Sequence, residues 1–335
     1  MESGDHVMAA LDLRVLIITK GVNSVVKALT ASQHNIVGIA EGFHGNKKQT
    51  AWQQFCLTLK LLREKFRSPA KSLRKFASEN KIPYLCMDRS NALSTKDWIS
   101  ALQPDLIVVF WLPRILKEDI FHIPPLGTIN LHPSLLPYYR GPNPFFWAYY
   151  DYNLNPGATV HYIDKGQDTG DIILQNSVPI LPGTPLPETS SLVLDQMGVD
   201  LLLQGINLIA TDAAPRRPQP SISPTPKARH VSLKEYPAII DWESWQTKRV
   251  WHFLRGTDYW LHKSRLWTAD HPGVKWAIKE FELAPTEKWS SGCLYRENDC
   301  YFVACSDGII YLEPAFSLKH YIRDHFLRLR NKFLK

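Results

Sequence analysis

One stretch in the middle of this chain, residues 127–171, constrains its fold and function more than any other. Two strand-like runs, residues 128–131 and 158–163, bracket a proline-rich loop and a short aromatic helix. Ligands of open α/β sheets bind beyond the carboxyl ends of the strands, and polar residues there serve chemistry more often than packing. Four polar side chains lie inside or just after the two runs, where an α/β core would prefer aliphatic residues. They are Asn130, His132, His161 and Asp168.

Strand-like and helix-like runs alternate from residue 13 onward, which predicts an α/β fold. The runs at 14–18 and 106–110 are continuous and apolar, as in strands that are buried on both faces. Residues 213–227 contain five prolines and no helical or strand period, which is typical of an extended linker. The predicted organisation is a flexible arm at 1–12, a first domain at 13–212, the linker at 213–227 and a second domain at 228–335.

The central stretch also carries a resemblance to a known family. Its two segments N-L-H-P-S-L-L-P-Y-Y-R-G-P-N-P and H-Y-I-D-K-G-Q-D-T-G-D resemble the signature of the formyltetrahydrofolate-dependent formyltransferases. The resemblance runs from about residue 13 to residue 212 and continues more weakly into the C-terminal third. It implies a Rossmann-like formyltransferase domain with a mostly parallel sheet, followed by a smaller β-rich domain of the oligonucleotide-binding barrel type. It also implies N10-formyltetrahydrofolate as the co-substrate and no metal.

The catalytic triad of that family falls on Asn130, His132 and Asp168, and all three residue types match. Asn130 and His132 are two residues apart, so an extended strand places both side chains on one face. Formyl transfer builds negative charge on the formyl oxygen and removes a proton from the attacking amine. The site therefore needs fixed donors and a base. Asn130 would supply amide N–H groups, while Asp168 would orient and charge-balance His132.

The resemblance also implies residues that bind the two substrates. It places the backbone of one segment against the pterin ring of the folate, and a turn after the second strand on the other side of that ring. The first segment is Arg114, Ile115 and Leu116, and the turn is Ile163, Asp164, Lys165 and Gly166. The residues expected to contact the formyl acceptor are Tyr139, Arg140, Phe146, Trp147 and His161.

The acceptor has two candidates. The helix P-F-F-W-A-Y-Y and the pair His161-Tyr162 resemble the sugar N-formyltransferases, which favours a nucleotide-linked amino sugar. The alternative is methionyl-tRNA, favoured by a basic insertion at 44–75, by the linker and by the C-terminal domain. A net charge of +7 and a pI of about 9.0 permit either anionic partner. A third reading is a non-catalytic folate- or nucleotide-binding module, and the intact triad argues against it.

The remaining expectations concern location and assembly. No uninterrupted apolar run of the sequence approaches the length of a membrane span, and the N-terminus lacks the basic start of a signal peptide. We therefore expect a cytoplasmic protein without membrane contact, with a homodimer among its possible states.

Overall fold

A computed structural model describes five segments of the chain. They are residues 12–42, 72–87, 92–232, 235–257 and 274–316. Nearly all of the predicted N-terminal arm, most of the basic insertion and two stretches of the predicted second domain, 258–273 and 317–335, therefore lie outside the described residues. By their contacts the residues cluster into two compact units. The first comprises 1–142, 157–178 and 192–227, and the second comprises 143–156, 179–191 and 228–335.

The first unit is built on a seven-stranded sheet. Its strands are β1 (Arg14–Thr19), β2 (Asn35–Gly42), β3 (Tyr84–Met87), β4 (Leu106–Phe110), β5 (Thr128–His132), β6 (Gly157–Tyr162) and β7 (Ile172–Ser177). They are ordered β3-β2-β1-β4-β5-β6-β7 across the sheet. Neighbours from β3 to β5 pair in parallel, whereas β6 and β7 are antiparallel additions. This mostly parallel sheet confirms the predicted fold class, and the aliphatic runs of β1 and β4 suit its buried centre.

Helices connect the strands in the manner expected of an α/β fold. In chain order they are α1 (Ser24–Ala31), α2 (Leu73–Glu79), α3 (Ala92–Ala101), α4 (Glu118–Phe121), α5 (Pro144–Tyr150), α6 (Leu186–Ser190), α7 (Val199–Ala210) and α8 (Thr247–Gly256). Helix α1 begins where the side chain of Asn23 accepts the backbone N–H of Val26 at 3.0 Å. This bond satisfies one of the free N–H groups of the first turn, so Asn23 is a favourable cap.

One helix is longer and more apolar than expected from the sequence, in which no run approached the length of a membrane span. Helix α6, a π-helical stretch at Ser191–Gly198 and α7 form one continuous helix, Leu186–Ala210. It has 25 residues and a mean hydropathy of 1.3 in its most apolar window, enough by length and composition to cross a membrane. Half of that window is buried inside the fold. In α7, a methyl group built on Gly205 would lie 3.2 Å from Val160, so this part packs directly on β6 as a core helix does.

The second unit contains a four-stranded antiparallel sheet. Its strands are β8 (Val274–Leu283), β9 (Leu294–Glu297), β10 (Cys300–Ala304) and β11 (Gly308–Phe316), in the order β8-β11-β10-β9. The predicted β-rich second part is thereby confirmed, and closure into a barrel stays a prediction. Asp307 ends the β10–β11 turn and accepts the backbone N–H of Thr247 at 2.7 Å, so the hairpin holds the first turn of α8.

Aromatic side chains form the packing centre between α5 and α8 in the second unit. Phe146 packs edge-on against Phe253 with 5.5 Å between ring centroids, and Tyr150 packs edge-on against Trp245 at 5.0 Å. Phe146 and Tyr150 are four residues apart, so they share one face of α5. Edge-to-face contacts at these distances are favourable beyond the area that they bury. The aromatic helix noticed in the sequence is therefore a packing element of this unit.

The grouping by contacts does not follow the chain in a simple way. Residues 143–156 lie within the predicted first domain but cluster with the second unit. Residues 213–227, the predicted linker, cluster with the first unit. The domain boundaries taken from the sequence stay a prediction.

Candidate active site

The pairing of β5 with β6 brings polar residues of the central stretch together. Asn130 on β5 lies directly opposite His161 on β6 in the antiparallel register. Side chains of such a pair lie on the same face of the sheet and touch. The side-chain nitrogen Nδ2 of Asn130 is 3.1 Å from Nε2 of His161. His132 follows Asn130 by two residues and projects from the same face.

Asp168 reaches this group from the turn that joins β6 to β7. Its backbone has a φ of 57°, in the left-handed region that few residues other than glycine adopt. Its Oδ2 accepts the backbone N–H of Gly141 at 2.8 Å. Its Oδ1 lies 3.7 Å from Nδ1 of His132 and 4.0 Å from Nε2 of His161. One carboxylate oxygen therefore faces both imidazole rings, at distances that often shorten once a substrate is bound.

The hydrogen bonds of His161 determine its protonation state. The ring is 2% exposed, and Nδ1 lies 2.7 Å from the carbonyl oxygen of Tyr162. A carbonyl oxygen only accepts, so Nδ1 carries a proton. Burial lowers the pKa of His161 to about 4, although the Asp168 carboxylate opposes this shift. The ring is therefore neutral near pH 7, and its Nε2 accepts an N–H from Asn130, which orients that amide.

His132 has the opposite arrangement of partners. It is 5% exposed, and its Nε2 lies 3.2 Å from the carbonyl oxygen of Tyr139. By the same reasoning Nε2 donates a proton to that oxygen. The remaining nitrogen, Nδ1, faces the carboxylate of Asp168. Nδ1 is therefore the ring nitrogen that lies beside a negatively charged group.

The two segments predicted to hold a folate meet in the first unit. Leu116 is buried in a hydrophobic cluster against which Ile163 also packs. Next to them, Lys165 Nζ lies 3.0 Å from Glu118 Oε1. Ile115, the neighbour of Leu116 in the chain, is 66% exposed, an unusual position for a large apolar side chain. A buried apolar cluster and an exposed aliphatic side chain in the same segment fit a planar ring system, so the residues suit the expected co-substrate.

Polar contacts complete the two predicted segments. The Arg114 side chain donates from Nη2 to the carbonyl oxygen of Met87 at 2.7 Å. Asp164 Oδ1 accepts the backbone N–H of Gly166 at 3.0 Å and the hydroxyl of Thr169 at 2.6 Å. These bonds hold the turn after β6 in one shape, as an Asx turn does.

The residues expected to contact the acceptor divide into two groups. Tyr139 and Arg140 are each 7% exposed and lie beside the polar group, since Tyr139 bonds to His132. Phe146 is fully buried in the second unit, where Tyr236 packs edge-on against it, so it offers no surface to a ligand. Trp147 belongs to the same unit and donates from Nε1 to the carbonyl oxygen of Arg229 at 2.8 Å.

Sequence reasoning missed one residue of this site, Gln219. Its side-chain Nε2 donates to the carbonyl oxygens of Asp168, at 3.2 Å, and Gly170, at 2.7 Å. A lone glutamine in a proline-rich stretch carries no sequence signal for such a role. Among the residues that the structure describes, no group of three or more His, Cys, Asp or Glu side chains could hold a metal ion.

The sequence of this chain is similar to those of known proteins. The family model described as "Formyl transferase" matches residues 63–201. A methionyl-tRNA formyltransferase of Roseiflexus castenholzii is 36% identical over 219 residues, which cover 65% of this chain and 67% of the relative. The methionyl-tRNA formyltransferase of Desulforamulus reducens is 35% identical over 198 residues, 58% of this chain and 60% of the relative. This chain thus spans about three fifths of that relative.

One solved structure is similar over nearly the whole chain. It is an N-formyltransferase from Helicobacter canadensis, crystallised in complex with folinic acid and dTDP-3-aminofucose. The match covers 90% of this chain and 100% of that one, with a TM-score of 0.59 and 17% sequence identity. A likeness at this identity concerns the fold.

Proposed function

The chain belongs to the formyl transferase family, and we propose that it transfers a formyl group from N10-formyltetrahydrofolate to a primary amine. One observation carries the proposal, namely the meeting of an amide, an imidazole and a carboxylate on one face of the β5–β6 pair. Asp168 Oδ1 lies 3.7 Å from His132 Nδ1, and the Asn130 amide is oriented by its 3.1 Å contact with His161. These groups meet the needs of the reaction.

The folate supplies the formyl carbon as electrophile and N10 as leaving group. The amine nitrogen bonds to that carbon, the bond from the carbon to N10 breaks, and one proton passes from the amine to N10 overall. Asn130 has two amide N–H groups, of which one bonds to His161. The other can donate to the formyl oxygen as it gains negative charge.

The proton passes through His132 and Asp168. Nδ1 of His132 faces the carboxylate, so the ring can take a proton there and stay charge-balanced. A donor role of His132 toward the formyl oxygen would use Nε2, which now bonds to the carbonyl oxygen of Tyr139 at 3.2 Å. In this proposal that N–H is shared with the substrate on binding.

The co-substrate is held between the segment of Arg114, Ile115 and Leu116 and the turn of Ile163, Asp164, Lys165 and Gly166. Leu116 and Ile163 join the same hydrophobic cluster, which supports this placement. The exposed side chain of Ile115 would cover one face of the pterin ring. Burial of that apolar area is the expected driving force for binding.

For the acceptor we propose a nucleotide-linked amino sugar. The support is the sequence pair His161-Tyr162, which resembles the sugar enzymes, and a fold shared along the full length of an enzyme that was crystallised with such an acceptor. Tyr139 and Arg140 remain the candidate acceptor contacts in the first unit, and Arg140 would add positive charge near a phosphate. The proposed contact of Phe146 loses its support, because this side chain is fully buried among other rings, whereas the contact of the half-buried Trp147 stays a prediction.

Methionyl-tRNA is the second candidate, and a specific observation favours it. The sequence relatives named above are methionyl-tRNA formyltransferases at 35–36% identity. The net charge of +7 also suits RNA, whose binding depends on phosphate contacts and weakens steeply with salt.

A formyl-transfer assay separates these candidates. The full chain is incubated with N10-formyltetrahydrofolate and either a panel of nucleotide-linked amino sugars or methionyl-tRNA, at low and high salt. We expect a formylated sugar that forms at both salt concentrations and at a much lower rate with Asp168→Asn. If only methionyl-tRNA is formylated, the proposed sugar acceptor is wrong. If no amine is formylated, the proposed formyltransferase activity is wrong. The expected cytoplasmic location and homodimer stay predictions.

A further inference from the structure

The stretch predicted as a linker makes hydrogen bonds at several points to the segments of the first unit that surround the polar site. We call residues 216–225 the strap. At its start, Arg217 exchanges two backbone hydrogen bonds with Ile172, the first residue of β7, at 2.9 and 3.1 Å. Near its end, Ser223 donates to the carbonyl oxygen of Pro137 at 2.8 Å, and Thr225 accepts the backbone N–H of Tyr139 at 2.7 Å. An unattached linker would make no such contacts.

Gln219, between these anchors, uses its whole hydrogen-bonding capacity on the loops around Asp168. A glutamine amide can accept two bonds at its oxygen and donate two from its nitrogen. The oxygen accepts from Nε and Nη2 of Arg140 at 3.1 and 2.7 Å. The nitrogen donates to the carbonyl oxygens of Asp168 and Gly170 at 3.2 and 2.7 Å. One side chain therefore ties the Arg140 loop to the Asp168 turn.

The same two loops are joined by the carboxylate itself. Gly141, which follows Arg140, donates its N–H to Asp168 Oδ2 at 2.8 Å. This bond leaves Oδ1 facing His132. If the two loops separated, Gly141 would withdraw, and the carboxylate would lose the bond that directs it. The left-handed backbone of Asp168 adds a reason for support, since this conformation is costly for a residue other than glycine.

We infer that Gln219 is a positioning residue, which holds Asp168 in the orientation that faces His132. The inference deepens the proposed function and rests on it for its catalytic consequence. Gln219 acts through Asp168 and Gly141 and touches no reacting atom. Arg217 sets the register of the strap two residues earlier, so the glutamine side chain reaches both loops.

Two substitutions separate the bonds of Gln219. Gln219→Leu removes all of them, while Gln219→Glu keeps oxygens for Arg140 and removes the donors to Asp168 and Gly170. Ser223→Ala is the matched control, because it removes hydroxyl contacts of the same strap at another place, to the Pro137 carbonyl oxygen and to Thr225. For both Gln219 variants we expect kcat to fall about 10–100-fold, with KM for folate within about threefold. Ser223→Ala should keep kcat within about twofold of the wild-type value.

A second measurement does not depend on any activity. In protein labelled with ¹⁵N-glycine, the Gly141 amide reports its bond to the Asp168 carboxylate through its chemical shift and hydrogen exchange. We expect faster exchange of that amide in both Gln219 variants and unchanged exchange in Ser223→Ala, at melting temperatures close to wild type. Unchanged Gly141 exchange would overturn the positioning role, whatever the kinetics.

The kinetic outcomes are also decisive. In an Asp168→Asn background, Gln219→Leu should cause no further loss of kcat, because its effect passes through that carboxylate. Full additivity of the two losses would overturn the inference, as would an equal loss in Ser223→Ala. If the wild-type chain formylates no amine, the proposed function fails, and the Gly141 exchange still decides whether Gln219 positions Asp168.

Discussion

The polar group of the first unit and the aromatic group of the second unit come from neighbouring stretches of sequence but do different work. Asn130, His132 and Asp168 converge within 4 Å contacts that include His161. Phe146 and Tyr150, only a short distance further along the chain, pack against Phe253. Burying polar side chains costs free energy unless they are hydrogen-bonded, so a cluster of them is more readily explained by a functional site than by packing. Aromatic side chains at helical spacing are satisfied by packing alone.

Two buried histidines sharpen the comparison. His161 and His252 both have a pKa lowered to about 4 by burial. His161 accepts from the Asn130 amide, next to Asp168, whereas His252 accepts the backbone N–H of Gly183 at 2.9 Å and stacks on Tyr149. A similar pKa therefore accompanies a position in the candidate site in one case and packing in the other. The neighbours, rather than the shift, distinguish them.

The largest expected effect separates the two groups by activity. Asp168→Asn and His132→Ala should each lower turnover about 10²–10⁴-fold, because each removes a positioned acid–base group. Steady-state kinetics with N10-formyltetrahydrofolate and the acceptor found above measures the loss, and thermal unfolding checks that the variants are folded. If either variant keeps near-normal turnover, the assignment of the catalytic triad is wrong.

Stability should show the reverse pattern for the aromatic group. Phe146→Ala should destabilise the protein by about 3–5 kcal/mol, because it leaves a cavity among packed rings. Turnover per folded molecule should be retained. Denaturant unfolding measures the change. Leu181→Ala is the matched control in the same unit, since this side chain is 78% exposed and its loss should change stability by less than about 0.5 kcal/mol. If Phe146→Ala loses turnover without losing stability, Phe146 contributes to the active site rather than to packing alone.

Acid should weaken the second unit through His252. Its pKa is about 4 in the folded state, below the ordinary value of 6.5, so the unfolded chain binds more protons between these values. The stabilisation is fully present above about pH 6.5 and is lost as pH falls toward about 4. The loss, relative to neutral pH, amounts to about 2–3 kcal/mol at about pH 4.5, since each factor of ten in proton affinity corresponds to about 1.4 kcal/mol.

The test of this linkage compares His252→Gln with wild type by urea unfolding across that pH range. Glutamine keeps an acceptor near Gly183 and does not titrate, so the variant should lose less stability on acidification. Equal pH slopes for the two proteins would contradict the role of His252.

The smallest expected effect concerns the ion pair beside the predicted folate segments. Lys165 and Glu118 are 3.0 Å apart but well exposed, with side chains 75% and 51% accessible. Lys165→Ala should therefore change stability by about 0–1 kcal/mol, and less at high salt. Thermal unfolding at low and high salt measures it, with Glu118→Gln as the reciprocal control. A larger, salt-independent loss would mean that this contact is part of the rigid core.

Much of the first unit could be predicted from local pattern. The runs at 14–18 and 106–110 fall in β1 and β4, because continuous apolar residues leave few alternatives to a buried strand. The helix Leu186–Ala210 was not anticipated as one long apolar element, because its charged residues interrupt the apolar run without ending the helix.

The sequence by itself indicated which residues could do chemistry, because Asn130, His132 and Asp168 match a family signature and the spacing of Asn130 and His132 places both on one face of a strand. The tertiary structure alone decided that Phe146 is a packing residue and that Gln219, 51 residues from Asp168, bonds to the Asp168 turn. Burial and hydrogen-bond partners depend on which distant segments pack together. No local period or motif carries that information, because it arises only when the chain closes on itself.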